Sequence, residues 1–445
     1  MFGVRVGPGA TRRRRGRGRH IAAMALAGVL MAASPAAAAG AAADPTPWWW
    51  ETYGIGALHA QGWTGEGVRI AIMDTAINPD LPAFAGRDLT VAEGTLCTEG
   101  DSAVSTEPTS GAVHGSTMTA LLIGTGEGAG AVPGIAPDAE VTFYGLGVDD
   151  AFDGCTTRER PDELSPFGLA LQRAIDDGAQ IFTTSVGSPL ESEEGDGAVI
   201  AEAIAKGLVI LNATGNPGAR LTHDSLGLIN GVLAVSAVDS TGALQTDDQG
   251  QPYARDETHV VAAGVDFPSV GATGGAWDQS RSVTGSSLAA PLVAGMVAML
   301  AQQHPEATGN QLLQSLLHST NGTIHEPVYE PATGYGYGAA WPASLMQADP
   351  ARYPDENPLL DRPGGIPSPA QVEDALTGGS PAPQEGAAPA PGDDDDAAAA
   401  PGPADPLGPV AIAIAVGLVA IVAAGVVTVL IVAARRRRLL QGGTP

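Results

Sequence analysis

Positive charge is scarce in this sequence outside its two ends. Lys206 is the only lysine among 445 residues. The segment between the ends carries all 49 acidic residues but just 11 of the 22 basic ones, which gives it a net charge of about −38. A surface of this sign excludes nucleic-acid binding by counterion release. It predicts instead a soluble domain whose copies are held apart by like charge.

The amino-terminal end has the organisation of a secretory signal. Residues 11–20 read TRRRRGRGRH, an apolar stretch follows at 21–33, and small residues come next. This order of basic, apolar and small residues is that of a signal peptide, which we predict over residues 1–43. A structural helix is the alternative interpretation of the apolar stretch.

The carboxyl-terminal end contains a predicted membrane anchor. Val410 to Ala434 is an uncharged apolar run, and four arginines follow it at once. Such a run is long enough to cross the hydrocarbon core, and arginines beside a span stay in the cytoplasm. We therefore predict a transmembrane helix at 409–434 and a cytoplasmic tail at 435–445. Everything between the two ends is then extracytoplasmic, on a single-pass cell-membrane protein.

Cysteine is also scarce, and no acidic loop suggests a metal site. Cys97 and Cys155 both lie in the segment predicted to be exported. An oxidising compartment favours one disulfide between them, while two free buried thiols are the alternative. Four aspartates at 393–396 belong to a segment rich in Pro, Ala and Gly, predicted as an extended linker over 350–408. We predict no required metal and no cofactor.

Short apolar runs alternate with amphipathic ones in the remaining segment, which divides into an extension at 44–66 and a domain at 67–349. The alternation predicts an α/β fold of three layers, with a mainly parallel sheet flanked by helices. The active site of such a sheet lies at the carboxyl ends of its strands. Buried strands are predicted at 68–74, 140–146, 180–187, 208–216 and 231–238, and helices at 116–125, 167–178 and 197–207.

Three polar residues fall at positions where this topology would gather them. Asp74 ends a predicted strand, His114 precedes a predicted helix, and Ser287 opens the apolar helix of GSSLAAPLVAGMVAML. Each also has a plain structural interpretation, as a strand-end cap, a structural histidine, or a helix cap shared with Ser286. Together they provide an orienting carboxylate, a general base and a nucleophile. Pro291 is expected in the first helical turn, where a missing N–H costs little.

Around these residues the chain resembles the subtilisin-like serine proteases, in which Asp, His and Ser follow in this order. The resemblance covers about residues 50–345 and rests on three motifs: IAIMDTAINPDL, HGSTMTALLIG and GSSLAAPLVAGMVAML. It implies that Asp74, His114 and Ser287 form the catalytic triad. Ser286 then occupies the position usually held by threonine.

Two further segments are similar to the same family. ATGN ends at Asn216, and the resemblance implies that this side chain joins the Ser287 N–H in an oxyanion hole. A turn asparagine beside Gly215 is the alternative. SVG, which comprises Ser185, Val186 and Gly187, resembles the strand that binds an extended peptide. The resemblance thus implies substrate binding by these three residues and Gly215.

Within that family, four features are most similar to the mycosins, proteases associated with type VII secretion in actinobacteria: the Trp-rich extension, the paired cysteines, ATGYGYG and the predicted anchor. Ala76 and Ser116 depart from the usual glycine and threonine, and an acidic residue before His114 is missing. The resemblance implies a membrane-anchored serine endopeptidase acting on polypeptides, with secretion-complex subunits as possible partners. The alternatives are a scaffold subunit of such a complex, with dispensable proteolysis, and an anchored surface-binding module.

Overall fold

A computed structural model describes residues 47–148, 154–187, 190, 193–218, 229–360, 362 and 365–378. The predicted signal peptide, transmembrane helix and cytoplasmic tail lie outside the described residues. The helices are α1 (Trp48–Tyr53), α2 (Ile55–Ala60), α3 (Ser110–Ile123), α4 (Pro166–Asp176), α5 (Glu193–Ala205), α6 (Ser286–Gln303), α7 (Gly309–His318), α8 (Pro342–Leu345) and α9 (Pro369–Thr377).

The strands follow the expected parallel arrangement. They are β1 (Arg69–Asp74), β2 (Leu89–Val91), β3 (Glu140–Gly145), β4 (Ile181–Thr184), β5 (Val209–Ala213), β6 (Val232–Val238) and β7 (Val260–Ala263), with a short antiparallel pair, β8 (Phe267–Pro268) and β9 (Ser282–Val283). The first seven form one sheet in the order β2-β3-β1-β4-β5-β6-β7, and every pairing in it is parallel. All five predicted strands are present. The strands β2 and β7 are not among those predicted.

Helices cover both faces of the sheet, which confirms the predicted layers. Alternate residues of β1 point to opposite faces. Ile70 and Ile72 pack in the layer that contains α3, α6 and α7. Ala71 and Met73 pack in the layer that contains α4 and α5. A strand buried on both faces explains the continuous apolar run that identified it.

The folded domain is larger than the predicted 67–349. In the amino-terminal extension, Trp49 is fully buried and stacks on Phe267. Beyond 349, α9 packs against α5 and Val372 is buried in the core. The linker predicted from residue 350 is therefore wrong for its first part, because residues 365–378 belong to the folded domain.

The apolar helix α6 lies at the centre of the domain. Within the described residues it is the one helix whose length and hydropathy would suit a membrane span, and 83% of it is buried inside the protein. Its neighbours include β4, β5, β6 and α3. It is a core helix, and its amino-terminal end reaches the carboxyl edge of the sheet.

Candidate active site

Three of the predicted residues, Asp74, Ser185 and Asn216, lie at one edge of the sheet. Because β4 pairs with β1 on one side and β5 on the other, the carboxyl ends of these strands lie side by side. Asp74 is the last residue of β1, Ser185 follows β4, and Asn216 lies just beyond β5. Neighbouring strands are about 4.8 Å apart, so residues distant in sequence become neighbours here.

Asp74 is fully buried and holds the histidine directly. Its Oδ1 atom lies 2.8 Å from Nδ1 of His114. The same oxygen accepts a hydrogen bond of 2.7 Å from the backbone N–H of Thr75. Oδ2 is buried and has no hydrogen-bond partner within the described residues. Oδ1 is therefore the carboxylate oxygen that binds the imidazole, which supports the role of Asp74 as orienting group.

His114 lies inside the helix α3, whereas the sequence predicts it just before a helix. The helix α3 begins at Ser110, where the side chain of Thr109 accepts the N–H of Ala112 as an N-cap. Gly115 brings this helix against the segment that follows Asp74. A Cβ atom on Gly115 would lie 2.1 Å from the carbonyl oxygen of Ala76, so a larger residue does not fit without a shift.

The pair of Asp74 and His114 has consequences for protonation. Burial by itself lowers the pKa of His114, but the charge of Asp74 and its hydrogen bond outweigh burial and raise that pKa above the ordinary histidine value. A carboxylate only accepts, so Nδ1 must carry the proton that it donates. In the neutral ring Nε2 is then the basic atom, as a general base requires.

The two serines at the start of α6 have different environments. Ser286 is buried, and its hydroxyl donates to the carbonyl of Gly215 at 2.9 Å. Ser287 is half-buried. A Cβ atom on Gly285 would lie 3.1 Å from Oγ of Ser287 and 2.8 Å from Nδ2 of Asn216. The missing side chain of Gly285 therefore lets the hydroxyl and the amide lie close to one point.

Asn216 is oriented by hydrogen bonds to its oxygen. Its Oδ1 atom accepts the backbone N–H of Ser286 at 3.0 Å and Nε2 of Gln245 at 3.3 Å. With the oxygen held this way, Nδ2 is the end of the amide left to donate beside Ser287. This geometry suits an oxyanion donor better than a simple turn residue. The contribution of Gln245, 29 residues away along the chain, left no local pattern in the sequence.

Ser185 contacts the start of α6 directly. The helix α6 begins at Ser286, so Pro291 lies beyond the first turn. The predicted position of Pro291 within the first turn is therefore wrong. Proline has no N–H, and in a helix it deprives the carbonyl four residues earlier of its donor. That carbonyl belongs to Ser287, and the hydroxyl of Ser185 donates to it at 2.7 Å. Ser185 thus replaces the hydrogen bond that Pro291 removes.

The other predicted substrate-binding residues lie at the same edge. Val186 is half-buried, Gly187 is exposed, and both follow β4 without further regular structure. Gly215 has a positive φ of 91° and contributes the carbonyl that Ser286 binds. The N–H and the carbonyl of Val186 both pair with the hydroxyl of Thr184 at 3.3 Å, and substrate binding by Ser185 to Gly187 stays a prediction.

A predicted disulfide stabilises a neighbouring loop. Cys97 and Cys155 are joined, at a sequence separation of 58 and with Cα atoms 5.1 Å apart. The guanidinium of Arg158 donates to the carbonyls of Cys97 and Gly100. Across the described ranges, no group of three or more His, Cys, Asp or Glu side chains is arranged to hold a metal ion.

Comparison with known proteins identifies the family. The family model described as the subtilase family (Peptidase S8) matches residues 65–338, more than half of the chain. The chain belongs to the subtilase family. It is 28% identical to Subtilisin E of Bacillus subtilis over 267 residues, which cover 58% of this chain and 62% of that protein. It is 30% identical to the thermostable alkaline protease of Halalkalibacterium halodurans over 262 residues, or 58% and 63% of the two chains. The chain therefore spans less than two thirds of the length of these relatives.

Solved structures agree with this fold. Fervidolysin from Fervidobacterium pennivorans, a keratinolytic enzyme related to subtilisin, superposes with a TM-score of 0.52 at 22% identity, over 68% of this chain and 46% of that one. MycP3 protease from the type VII (ESX-3) secretion system superposes with a TM-score of 0.51 at 21% identity, over 70% and 90%. The subtilase resemblance of the sequence motifs is confirmed.

Proposed function

We propose that this protein is a serine endopeptidase that hydrolyses peptide bonds through an acyl-enzyme. The observation that carries the proposal is the 2.8 Å hydrogen bond from His114 to the buried Asp74, at the sheet edge where Ser287 lies in the first turn of α6. Membership of the subtilase family supports it.

The first half of the reaction forms the acyl-enzyme. The Oγ atom of Ser287 attacks the scissile carbonyl carbon, and Nε2 of His114 takes the hydroxyl proton. Negative charge that develops on the carbonyl oxygen is stabilised by the N–H of Ser287 and by Nδ2 of Asn216. His114 then protonates the amine as the C–N bond breaks, and an ester on Ser287 remains.

Water completes the cycle by the same proton path. It attacks the ester carbonyl carbon, and its proton passes to Nε2 of His114. The bond to Oγ of Ser287 breaks, and the proton returns to that oxygen while the carboxylic acid product leaves. Asp74 stays unprotonated and stabilises the imidazolium formed in each half.

The choice between the adjacent serines can be tested directly. In the purified full-length protein, we expect Ser287→Ala to abolish both peptide cleavage and labelling by a fluorophosphonate probe. Ser286→Ala is the matched control, because it removes a neighbouring hydroxyl that donates to the carbonyl of Gly215 at 2.9 Å, lies 3.5 Å from Oδ1 of Asn216 and takes no part in the proposed attack. It should retain labelling. Labelling that is lost in Ser286→Ala but kept in Ser287→Ala would refute the assignment.

The setting of this activity is also a proposal. The predicted signal peptide and apolar segment at 409–434 support an exported domain tethered to the cell membrane, with tail 435–445 in the cytoplasm. Membrane fractionation, with protease accessibility of intact cells, tests this topology. Recovery of the full-length protein in a soluble fraction would contradict it.

A link to type VII secretion is supported by the fold shared with MycP3 protease and by the mycosin-like sequence features. The second candidate function, a scaffold subunit, arises from the same likeness. Complementation of a deletion strain with Ser287→Ala separates the two. Secretion restored by this variant indicates scaffolding, whereas its failure, with normal protein levels, indicates that proteolysis is required.

A further inference from the structure

The side-chain amide of Asn216 has a direction that matters for its proposed role. Nδ2 can donate to a negatively charged oxygen, whereas Oδ1 would repel it. The two ends of the amide are almost the same size, so shape alone does not choose between them. The neighbouring hydrogen-bond donors must do so.

Three donors approach Oδ1 of Asn216, and the hydroxyl of Ser286 is the most distant of them at 3.5 Å. The backbone N–H of Ser286 lies 3.0 Å away, and because an N–H only donates, the atom facing it must be the oxygen. The side chain of Gln245 approaches the same oxygen at 3.3 Å, so its nearer end must be the amide nitrogen. The orientations of both amides therefore follow from the fixed backbone of Ser286.

Gln245 is held firmly enough to act in this way. It is buried, with 7% of its surface exposed. Its backbone N–H donates to the carbonyl of Ala237 at 2.9 Å, and its own carbonyl accepts the N–H of Tyr253 at 2.7 Å. Both backbone groups are thus paired on either side of the side chain that reaches Asn216.

We propose that Gln245 is a positioning residue for the oxyanion donor: its amide holds Oδ1 of Asn216 and so keeps Nδ2 directed at the site beside Ser287. The inference rests on the proposed function, because it assumes that Asn216 stabilises the oxyanion. Gln245 touches neither substrate nor the reacting atoms, so its effect must pass through Asn216.

The first experiment removes the donor and keeps the shape. Gln245→Met in the full-length protein is expected to lower kcat for a fluorogenic peptide by about tenfold, with KM unchanged. A misdirected Asn216 amide stabilises the transition state less but leaves substrate binding as it is. The matched control is Gln251→Met, an exposed glutamine on the same loop, which should leave kcat unchanged. An unchanged kcat in Gln245→Met would overturn the inference.

The decisive measurement is a double-mutant cycle. Asn216→Ala should lower kcat by about 10²- to 10³-fold. In that background Gln245→Met should have no further effect, because the residue through which it acts is gone. Equal losses in both backgrounds would show a general structural role and overturn the inference. Wild-type kcat in Asn216→Ala, with Ser287→Ala inactive, would instead remove the oxyanion role itself and the inference with it.

A second variant keeps the test valid if methionine disturbs folding. Gln245→Glu has the same shape, but its carboxylate oxygens repel Oδ1 of Asn216 and attract Nδ2. We expect a larger loss of kcat than in Gln245→Met, with a thermal transition close to that of the wild type. Wild-type kcat in Gln245→Glu would overturn the inference.

Discussion

The hydrogen bond from Ser185 to the carbonyl of Ser287 makes a quantitative prediction. Pro291 removes the helical donor for that carbonyl, and the 2.7 Å bond from Ser185 replaces it. Ser185→Ala leaves a partly buried carbonyl unpaired, which costs about 1–3 kcal/mol. We expect a lower thermal transition, by about 2 °C per kcal/mol for a domain of this size, and about a tenfold loss of kcat as the nucleophile shifts.

Pro291→Ala supplies the missing N–H and tests the cause. In the Ser185→Ala background it should restore the helical bond to the Ser287 carbonyl, so its stabilising effect there should exceed its effect in the wild type by about 1 kcal/mol. Chemical denaturation of the four proteins measures this coupling, and peptide hydrolysis measures its effect on kcat. Additive effects of the two substitutions would refute the reasoning.

Three further predictions follow from other contacts of the site and its supports. Asp74→Asn should lower kcat by about 10⁴-fold with little change in KM, as measured by peptide hydrolysis; a loss below tenfold would contradict the orienting role. The raised pKa of His114 should place the acidic limb of the kcat/KM profile above the ordinary histidine value of 6.5, and Asp74→Asn should move that limb to lower pH. Folding stability depends on the same group. Because its pKa is raised in the folded state, the stabilisation by protonated His114 is complete below pH 6.5 and is lost as the pH rises through the folded-state pKa. Replacing Cys97 and Cys155 together by serine opens a loop with a 58-residue separation and should lower the free energy of unfolding by about 4 kcal/mol in denaturant titrations; an unchanged midpoint would contradict this.

The strongest sequence signals came from contiguous motifs. The local pattern predicted that Asp74 ends its strand, whereas the helix that carries His114 begins at Ser110, earlier than the predicted helix. The strands of the sheet were predictable for a similar reason, since burial on both faces leaves uninterrupted apolar runs.

Contacts between distant segments were not predictable in this way. Nothing near Gln245 indicates that its amide meets Asn216, and nothing near Ser185 indicates that it compensates for Pro291. The helix α9 was missed because the Pro- and Gly-rich composition around it is typical of linkers. Its own start is nevertheless marked by a capping box, in which Ser368 and Gln371 bind each other's backbone.

The burial of α6 links the assembly of the site to the folding of the whole domain. From Leu288 to Ala301 every residue of this helix is buried. A helix without a polar side gains its stability from the layers around it and little from water. The serine at its first turn therefore reaches its hydrogen-bonding neighbours when sheet and helices have closed around α6. A partly folded chain contains Ser287 in its sequence but lacks the arrangement of neighbours that the proposed function requires.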